Sequence, residues 1–292
     1  MRHGSEKHLG TSLIALFGPV FILFLTTLIP AAAILILVST YQFTGINVQR
    51  IVTFSAYRQF FTDPFYLNAV VQGFVLAGVS TAICLVLGYP TAYALTKLKR
   101  PRLALIAYIL IFSPLLTSIV VRAYGWLVLL SGSGLVNWLV VHLHLTTGPV
   151  RLIFNFTGVV IALVHYLLPF AVFPILSVLL RLDDTLREAA ADLGADRLQT
   201  FLHLTVPLSM PGVYASVQLT FVLAMNSFVI PQLLGGGRVL VLPQLIYQNI
   251  TTLNWPLAGV QAITLVALVT VTIIASDLLQ GRSRIERSGT AA

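Results

Sequence analysis

Residues 156–180 read FTGVVIALVHYLLPFAVFPILSVLL and contain no charged side chain at neutral pH. A helix needs about 20 consecutive apolar residues to cross the hydrocarbon core of a bilayer, so this stretch can span a membrane. Five further apolar stretches lie at residues 13–38, 67–95, 103–121, 211–231 and 257–279. The sequence therefore predicts an all-α fold, a polytopic membrane bundle of six transmembrane helices.

Composition supports a membrane protein. The chain has 292 residues, of which 58% are hydrophobic and 9% are charged. Soluble domains carry about 25% charged residues, and a water-soluble fold of this size could not bury so much apolar surface. The first apolar stretch exceeds the roughly 7–15 residues of a signal-peptide core, so we expect a retained first span.

Residues 124–145 form a weaker apolar stretch, because Gly132, Gly134, Asn137 and His142 interrupt it. We expect an external re-entrant or interfacial segment here rather than a seventh span.

The basic residues predict the orientation of the chain. With the N-terminus inside, 12 of the 17 lysines and arginines fall on the inner side. The outer side holds the remaining 5, namely Arg50, Arg58, Arg122, Arg151 and Arg238. Lys and Arg are enriched in cytoplasmic loops, so both termini are expected to be cytoplasmic. The net charge of +8 is thus an orientation signal, and a nucleic-acid partner is not expected.

The segment 181–210 between the fourth and fifth spans is the most charged part of the chain. Thr185 with Glu188 predicts a capping box that starts one helix, and Gly194 predicts the turn that ends it. Asp196 predicts the cap of a second helix, which we expect to end at Pro207. The fifth span would then begin at Pro211.

One face of the first loop helix is small and apolar and is rimmed by charge, with Leu186, Ala189, Ala190 and Leu193 at helical spacing. Such a surface favours close docking of a soluble protein. A DNA-binding helix-turn-helix is excluded because the segment lies between two spans and its acids outnumber its bases.

The same loop carries a family resemblance. Glu188-Ala189-Ala190, Gly194 and Leu204-Thr205-Val206-Pro207 resemble the E-A-A-x₃-G-x₉-I-x-L-P signature of permeases of binding-protein-dependent ABC importers. Leu204 and Val206 depart from the usual Ile and Leu but remain apolar. The resemblance implies that Glu188, Ala189, Ala190, Gly194 and Pro207 couple the chain to an ATPase.

The resemblance also implies the partners: ATP-binding subunits, a second homologous permease subunit, an external solute-binding protein and membrane lipid. The chain has no G-x-x-x-x-G-K-[ST] phosphate loop, and Gly235-Gly236-Gly237 lacks the lysine. ATP hydrolysis must come from a partner, so the chain is expected to be a non-catalytic subunit without a cofactor. Its single cysteine, Cys84, gives neither a disulfide within the chain nor a multi-cysteine metal site.

Several stretches outside the loop are similar to spermidine/putrescine permeases. They are residues 88–93, 121–126, 134–137, 228–238 and 242–247. A polyamine is therefore the leading expected substrate, while relatives that carry opines, amino acids, phosphonates or iron share these stretches and remain open. Candidate residues of the substrate pathway are Tyr89, Tyr166, Asn226 and Ser227. We expect Tyr93 and His165 to make helix–helix contacts instead.

Two other classes of protein are weighed. A gradient-driven secondary transporter often has internal repeats and ionisable groups inside its spans. No repeat is evident, and only His165 is expected inside a span. A membrane enzyme would need a cluster of carboxylates, histidines or a nucleophile, which the sequence does not offer.

The expected domain organisation has three parts. Residues 1–66 form the N-terminal tail, first span and external loop, residues 67–280 the permease core, and residues 281–292 a cytoplasmic tail.

Overall fold

The computed structural model describes residues 3–45 and 47–289. Arg2 of the orientation argument and the last three residues of the predicted cytoplasmic tail lie outside this range. The described residues form a helical protein with one small hairpin. The helices are α1 His3–Ser39, α2 Ser55–Thr62, α3 Pro64–Lys97, α4 Pro101–Phe112, α5 Ile119–Leu129, α6 Leu135–His142, α7 Phe156–Leu179, α8 Asp184–Asp192, α9 Arg197–Thr200, α10 Val206–Met225, α11 Val229–Leu234, α12 Leu242–Thr251 and α13 Trp255–Gly289.

Five helical segments are long and apolar enough to cross a bilayer, or six if one bent pair counts as a span. They are Phe21–Ser39, Pro64–Lys97, Phe156–Leu179, Arg197–Met225 and Trp255–Leu278. The second, fourth and sixth predicted spans are confirmed within a few residues. The first, predicted from residue 13, is confirmed over Phe21–Ser39.

The third predicted span, 103–121, lies in the bent pair and is not one continuous helix. Helix α4 continues through a 3₁₀ turn at Ser113–Leu116, and α5 then leaves at an angle of 104°. Pro114 lies in this turn, and a proline breaks the regular hydrogen-bond ladder of a helix. Helices α5 and α6 are each too short to cross a bilayer alone, as predicted for residues 124–145.

The fifth predicted span, 211–231, is also shifted. One helical segment runs from Arg197 to Met225, so neither Pro207 nor Pro211 marks a boundary. A π turn at Phe201–Thr205 precedes Pro207, and the Val206 N–H reaches back to the Phe201 carbonyl. Proline has no N–H and its ring clashes with the carbonyl four residues earlier, so the widened turn lets the helix continue.

One compact unit comprises the residues up to Pro64 together with Leu245–Thr264. It contains an antiparallel hairpin of β1 Tyr41–Phe43 and β2 Val48–Val52, which the sequence analysis missed. The Ser39 hydroxyl bonds the Tyr57 hydroxyl at 2.9 Å.

The second unit comprises Phe65–Gln244 and the residues from Leu265 onward. Helix α7 lies at its centre and packs against α3 and α10. Small residues allow the close approach, because a Cβ at Gly212 would lie 2.8 Å from the Pro174 carbonyl oxygen. The core beside α3 consists of Ala92, Leu95, Val172, Ile175, Leu176 and Leu179.

Candidate functional site

The loop between α7 and α10 begins with the helix α8. Its N-cap is Asp183, whose side chain accepts a hydrogen bond from the Thr185 N–H at 3.0 Å. The predicted cap at Thr185 is therefore wrong, because Asp183 takes that role and places Thr185 inside the first turn. The hydrogen bonds from the Thr185 backbone and side chain hold the pKa of the Asp183 carboxyl below its usual value.

Gly194 ends α8, as predicted. Its φ is +85°, a conformation that glycine adopts without the cost imposed by a Cβ. The Gly194 N–H bonds the Ala191 carbonyl at 2.9 Å, and the Ala195 N–H bonds the Ala190 carbonyl at 3.0 Å. This pair of bonds is a Schellman motif, which fixes where the chain leaves the helix.

The predicted apolar face of α8 is largely open. Leu186 and Ala189 are exposed, and Leu193 at the end of the helix is 90% exposed. Ala190 is half-buried, and Glu188 is exposed on the same short helix. The loop thus presents apolar side chains that nothing in the described chain covers.

The second loop helix, α9, starts with a reciprocal capping box, as predicted at Asp196. The Asp196 carboxylate accepts the Gln199 N–H at 2.6 Å, and the Gln199 side chain accepts the Asp196 N–H at 3.1 Å. The predicted end of this helix at Pro207 is wrong, because the helix continues into α10.

Phe201 anchors the loop to α3, which the sequence analysis missed. Its ring meets Tyr93 edge-on with centroids 4.9 Å apart, and it meets Tyr89 at 6.0 Å. The Tyr89 hydroxyl also bonds the Ser209 hydroxyl on α10 at 2.8 Å. Phe201 lies in the π turn, so the loop and the spanning helices meet at these rings.

The four candidate pathway residues occupy different positions. Tyr89 lies beside Phe201, near the loop, and Tyr166 lies midway along α7. Asn226 follows the last residue of α10 and is exposed, so it is not inside a helical span as predicted. Ser227 is buried, and its hydroxyl has no hydrogen-bond partner among the described residues.

Arg122, which the sequence analysis places on the outer side, is buried on α5. It is 8% exposed, and its guanidinium lies 5.4 Å from the centre of the Tyr166 ring. Nη2 donates to the Thr117 carbonyl at 2.7 Å, while Nε and Nη1 have no partner in the described part of the chain. Nearby, Trp126 Nε1 donates to His165 Nδ1 at 3.2 Å, a helix–helix contact as expected.

The Asp277 carboxylate contacts a spanning helix. The Gln218 side chain on α10 donates to Asp277 Oδ1 at 2.6 Å, at the end of the last candidate span. The carboxylate remains exposed, so it is available to other groups.

Comparison with known proteins identifies the family. Residues 9–284 match the family described as the binding-protein-dependent transport system inner membrane component. The chain belongs to this permease family. It is 36% identical to the spermidine/putrescine transport system permease protein PotB of Escherichia coli (strain K12), over 77% of this chain and 83% of that protein. It is 38% identical to PotB of Salmonella typhimurium (strain SL1344), over 70% and 71%.

A solved structure agrees in fold. A bacterial ABC transporter involved in the import of the acidic polysaccharide alginate matches with a TM-score of 0.78. The match covers 97% of this chain and 99% of that chain at 17% identity.

Family membership settles the class of protein. The chain is a non-catalytic permease subunit of an ABC importer in the inner membrane. Its partners are ATP-binding subunits, a second permease subunit and a solute-binding protein. The secondary transporter and the membrane enzyme are thereby set aside.

Proposed function

We propose that this permease forms half of a translocation pathway for a polyamine and is coupled to its ATPase through residues 185–207, which we call the coupling loop. The observation that carries the coupling role is the exposed apolar end of α8, where Leu193 projects beside the Gly194 turn. An ATPase that covers this surface removes apolar area from water, which favours association. Glu188 supplies a charge beside it.

Force from the ATPase reaches the membrane helices through rigid contacts. The Schellman turn and the Asp196 capping box fix α8 and α9 relative to one another. Phe201 then packs on Tyr89 and Tyr93 of α3. Because α9 continues into α10, a displacement of α8 moves both α3 and α10.

The polyamine substrate rests on the similarity to PotB, a permease of a spermidine/putrescine transport system. The chain offers such a cation aromatic faces along its spans. Tyr108, Phe112, Phe170 and Phe173 line a cavity of about 620 Å³ between α4, α7 and α10. Aromatic faces attract cations. The exposed Asp277 carboxylate adds a negative charge at the end of the last candidate span.

One observation favours a second candidate, a solute with an anionic group such as an opine or a phosphonate. Arg122 is a buried cation with two unpartnered nitrogens, and a polycation passing near it would be repelled. An anionic solute would instead be attracted to it once the helices move apart.

The coupling role also sets the orientation. The loop must face the ATPase, so it is cytoplasmic. With six spans, both termini then lie on the cytoplasmic side too.

A pull-down from solubilised membranes tests the coupling loop. The wild type should retain the ATPase, and a Glu188→Lys, Gly194→Val double variant should lose it. An Asp192→Lys variant is the matched control, because it reverses another exposed acid of α8. Equal retention by all three proteins would refute the role of the loop.

Uptake of labelled putrescine and spermidine by proteoliposomes tests the substrate. ATP-dependent uptake of either supports the polyamine proposal. Uptake that an aminophosphonate or an opine competes away, with no polyamine transported, would instead establish the second candidate.

A further inference from the structure

A polar pocket of about 640 Å³ lies behind the coupling loop, between the end of α3 and the helices α8 and α9. Three basic side chains line it, those of Lys97, Lys99 and Arg197. Ala191 and Ala195 contribute the loop side of the pocket, and Tyr93 and Phe201 give it an aromatic side. None of the described residues that line it is a carboxylate.

A neighbouring acid is already engaged in a helix cap. Asp196, the neighbour of Arg197, uses its carboxylate to cap α9 through the Gln199 N–H at 2.6 Å. Lys97 lies over the Tyr93 ring, with Nζ 5.4 Å from the ring centre. A cavity lined by three cationic side chains and no carboxylate attracts an anion.

The position of the pocket at the end of α3 indicates that the anion belongs to a lipid. Helix α3 has 34 residues and is about 51 Å long, whereas the hydrocarbon core of a bilayer is about 30 Å thick. Its last turn, which carries Lys97, therefore reaches the level of the lipid headgroups. Basic pockets between membrane helices at the cytoplasmic surface bind the phosphates of anionic lipids.

We propose that this pocket binds the phosphate group of an anionic phospholipid, and that the bound lipid steadies the coupling loop. The proposal rests on the coupling role proposed above. A phosphate held by Lys97 and Lys99 on one side and Arg197 on the other would link the end of α3 to α9. The aromatic side of the pocket suits the glycerol and acyl part of a lipid better than it suits a free ion.

The test uses the assembled transporter, with its ATPase and second permease, in nanodiscs. One set contains phosphatidylcholine alone and the other also contains phosphatidylglycerol. A Lys99→Gln, Arg197→Gln variant removes two charges from the pocket. An Arg100→Gln, Arg102→Gln variant removes two charges from the same surface, at residues that do not line the pocket. The readouts are ATP hydrolysis and the phosphatidylglycerol that remains bound in native mass spectrometry.

We expect phosphatidylglycerol to raise ATP hydrolysis several-fold in the wild type and in the control. The pocket variant should lose this response together with the retained lipid. An equal response of both variants would overturn the proposal, because only the overall surface charge would then matter. Loss of the ATPase from the pocket variant in phosphatidylcholine alone would overturn it as well, since acidic residues of the ATPase would then fill the pocket.

Inorganic phosphate distinguishes the two sources of the anion. If phosphate added to phosphatidylcholine nanodiscs reproduces the response in the wild type but not in the pocket variant, the phosphate site stands and its ligand is soluble. Failure of the proposed coupling role would show differently, because the loop would then not retain the ATPase. The amount of lipid that the wild type and the pocket variant retain would still test the lipid-binding proposal.

Discussion

The ring of Phe201 meets the ring of Tyr93 edge-on, with their centroids 4.9 Å apart. This contact joins the helical segment that leaves the coupling loop to the end of α3. Phe201 lies in the π turn just before Pro207, so the irregular part of the helix is also the part that is fastened to its neighbour. Under the proposed coupling role, a displacement of the loop would pass through this packing to α3 and α10.

Replacing Phe201 by alanine should separate ATP hydrolysis from transport. Each aromatic pair contributes about 0.5–1.5 kcal/mol beyond its burial, and the variant loses the contacts with both Tyr93 and Tyr89. We expect the ATPase to remain bound, since α8 is unchanged, while uptake per ATP hydrolysed falls. Phe201→Tyr keeps the ring and is the control. If the alanine variant transports as efficiently as the wild type, force passes by another route.

Gly194 allows a test of the turn without a change of charge. A Cβ at this position would meet no atom within 4 Å, so any cost of substitution comes from the φ of +85°. A left-handed conformation costs an L-residue roughly 1–2 kcal/mol, and β-branched residues suffer most. Gly194→Val should therefore weaken binding of the ATPase by roughly 5–30-fold.

The control for that variant is Gly194→Asn, because asparagine tolerates the left-handed region. It should retain most of the binding. Equal loss in both variants would mean that the added side chain blocks the docking surface and that the turn itself is not responsible.

The cap at Asp183 makes the order of α8 depend on pH. Its pKa is lower in the folded loop than in an unfolded chain, because the carboxylate accepts hydrogen bonds from Thr185. The stabilisation is thus present above the ordinary pKa of aspartate and is lost as the pH falls through the depressed value. Hydrogen exchange in α8, corrected for intrinsic rates, should speed up in that acidic window.

An Asp183→Asn variant isolates the charge, because asparagine is also a good N-cap but does not titrate there. We expect its α8 to be protected to the same extent across the window. A loss of protection with falling pH that is unchanged in this variant would assign the effect to another group.

Sequence reasoning succeeded where neighbouring residues decide the structure. The Gly194 turn and the Asp196 cap depend on a few adjacent residues, and both were predicted. It failed at Asp183, since Asp183 and Thr185 are both capping residues and the sequence does not rank them. The predicted helix end at Pro207 was wrong for a different reason, because a π turn can accommodate a proline that would otherwise end the helix.

The errors in the membrane-spanning part concern tertiary structure, which a pattern of apolar residues does not show. Apolarity predicts that residues 103–121 enter the bilayer, but it carries no information about the 104° bend after α4. The sequence analysis placed Arg122 on the outer side by its position between the predicted spans, which carries no information about its burial. Its burial depends on Tyr166, 44 positions along the sequence, which supplies the ring beneath the guanidinium.

Tyr166 is the pathway candidate whose two possible roles are easiest to separate. Its ring supports Arg122, and a cation–π contact is worth about 0.5–2 kcal/mol. Tyr166→Leu should lower the free energy of unfolding by about that amount, measured in detergent. Tyr166→Phe keeps the ring and should unfold like the wild type. If the hydroxyl contacts the solute, Tyr166→Phe will reduce uptake without loss of stability, whereas unchanged uptake would exclude the hydroxyl from the pathway.

The two arginines at the far end of α7 provide a test of the docking of the solute-binding protein. Arg151 and Arg238 line a pocket of about 670 Å³ formed by the loops before α7 and after α11. Helix α7 has 24 residues, so it separates this pocket from the coupling loop by about 36 Å, which is enough to cross the bilayer core. The pocket therefore faces the side on which we propose that the binding protein docks.

Because both side chains are exposed and positively charged, they should attract acidic residues of that protein. Arg151→Glu with Arg238→Glu should lower the stimulation of ATP hydrolysis by the binding protein at least tenfold at low salt, with basal hydrolysis unchanged. Added salt should weaken the wild-type response and narrow the difference, since it screens exposed charges. Arg58→Glu, on the same predicted side, is the control. Stimulation that survives the double reversal would place the docking surface elsewhere on that side.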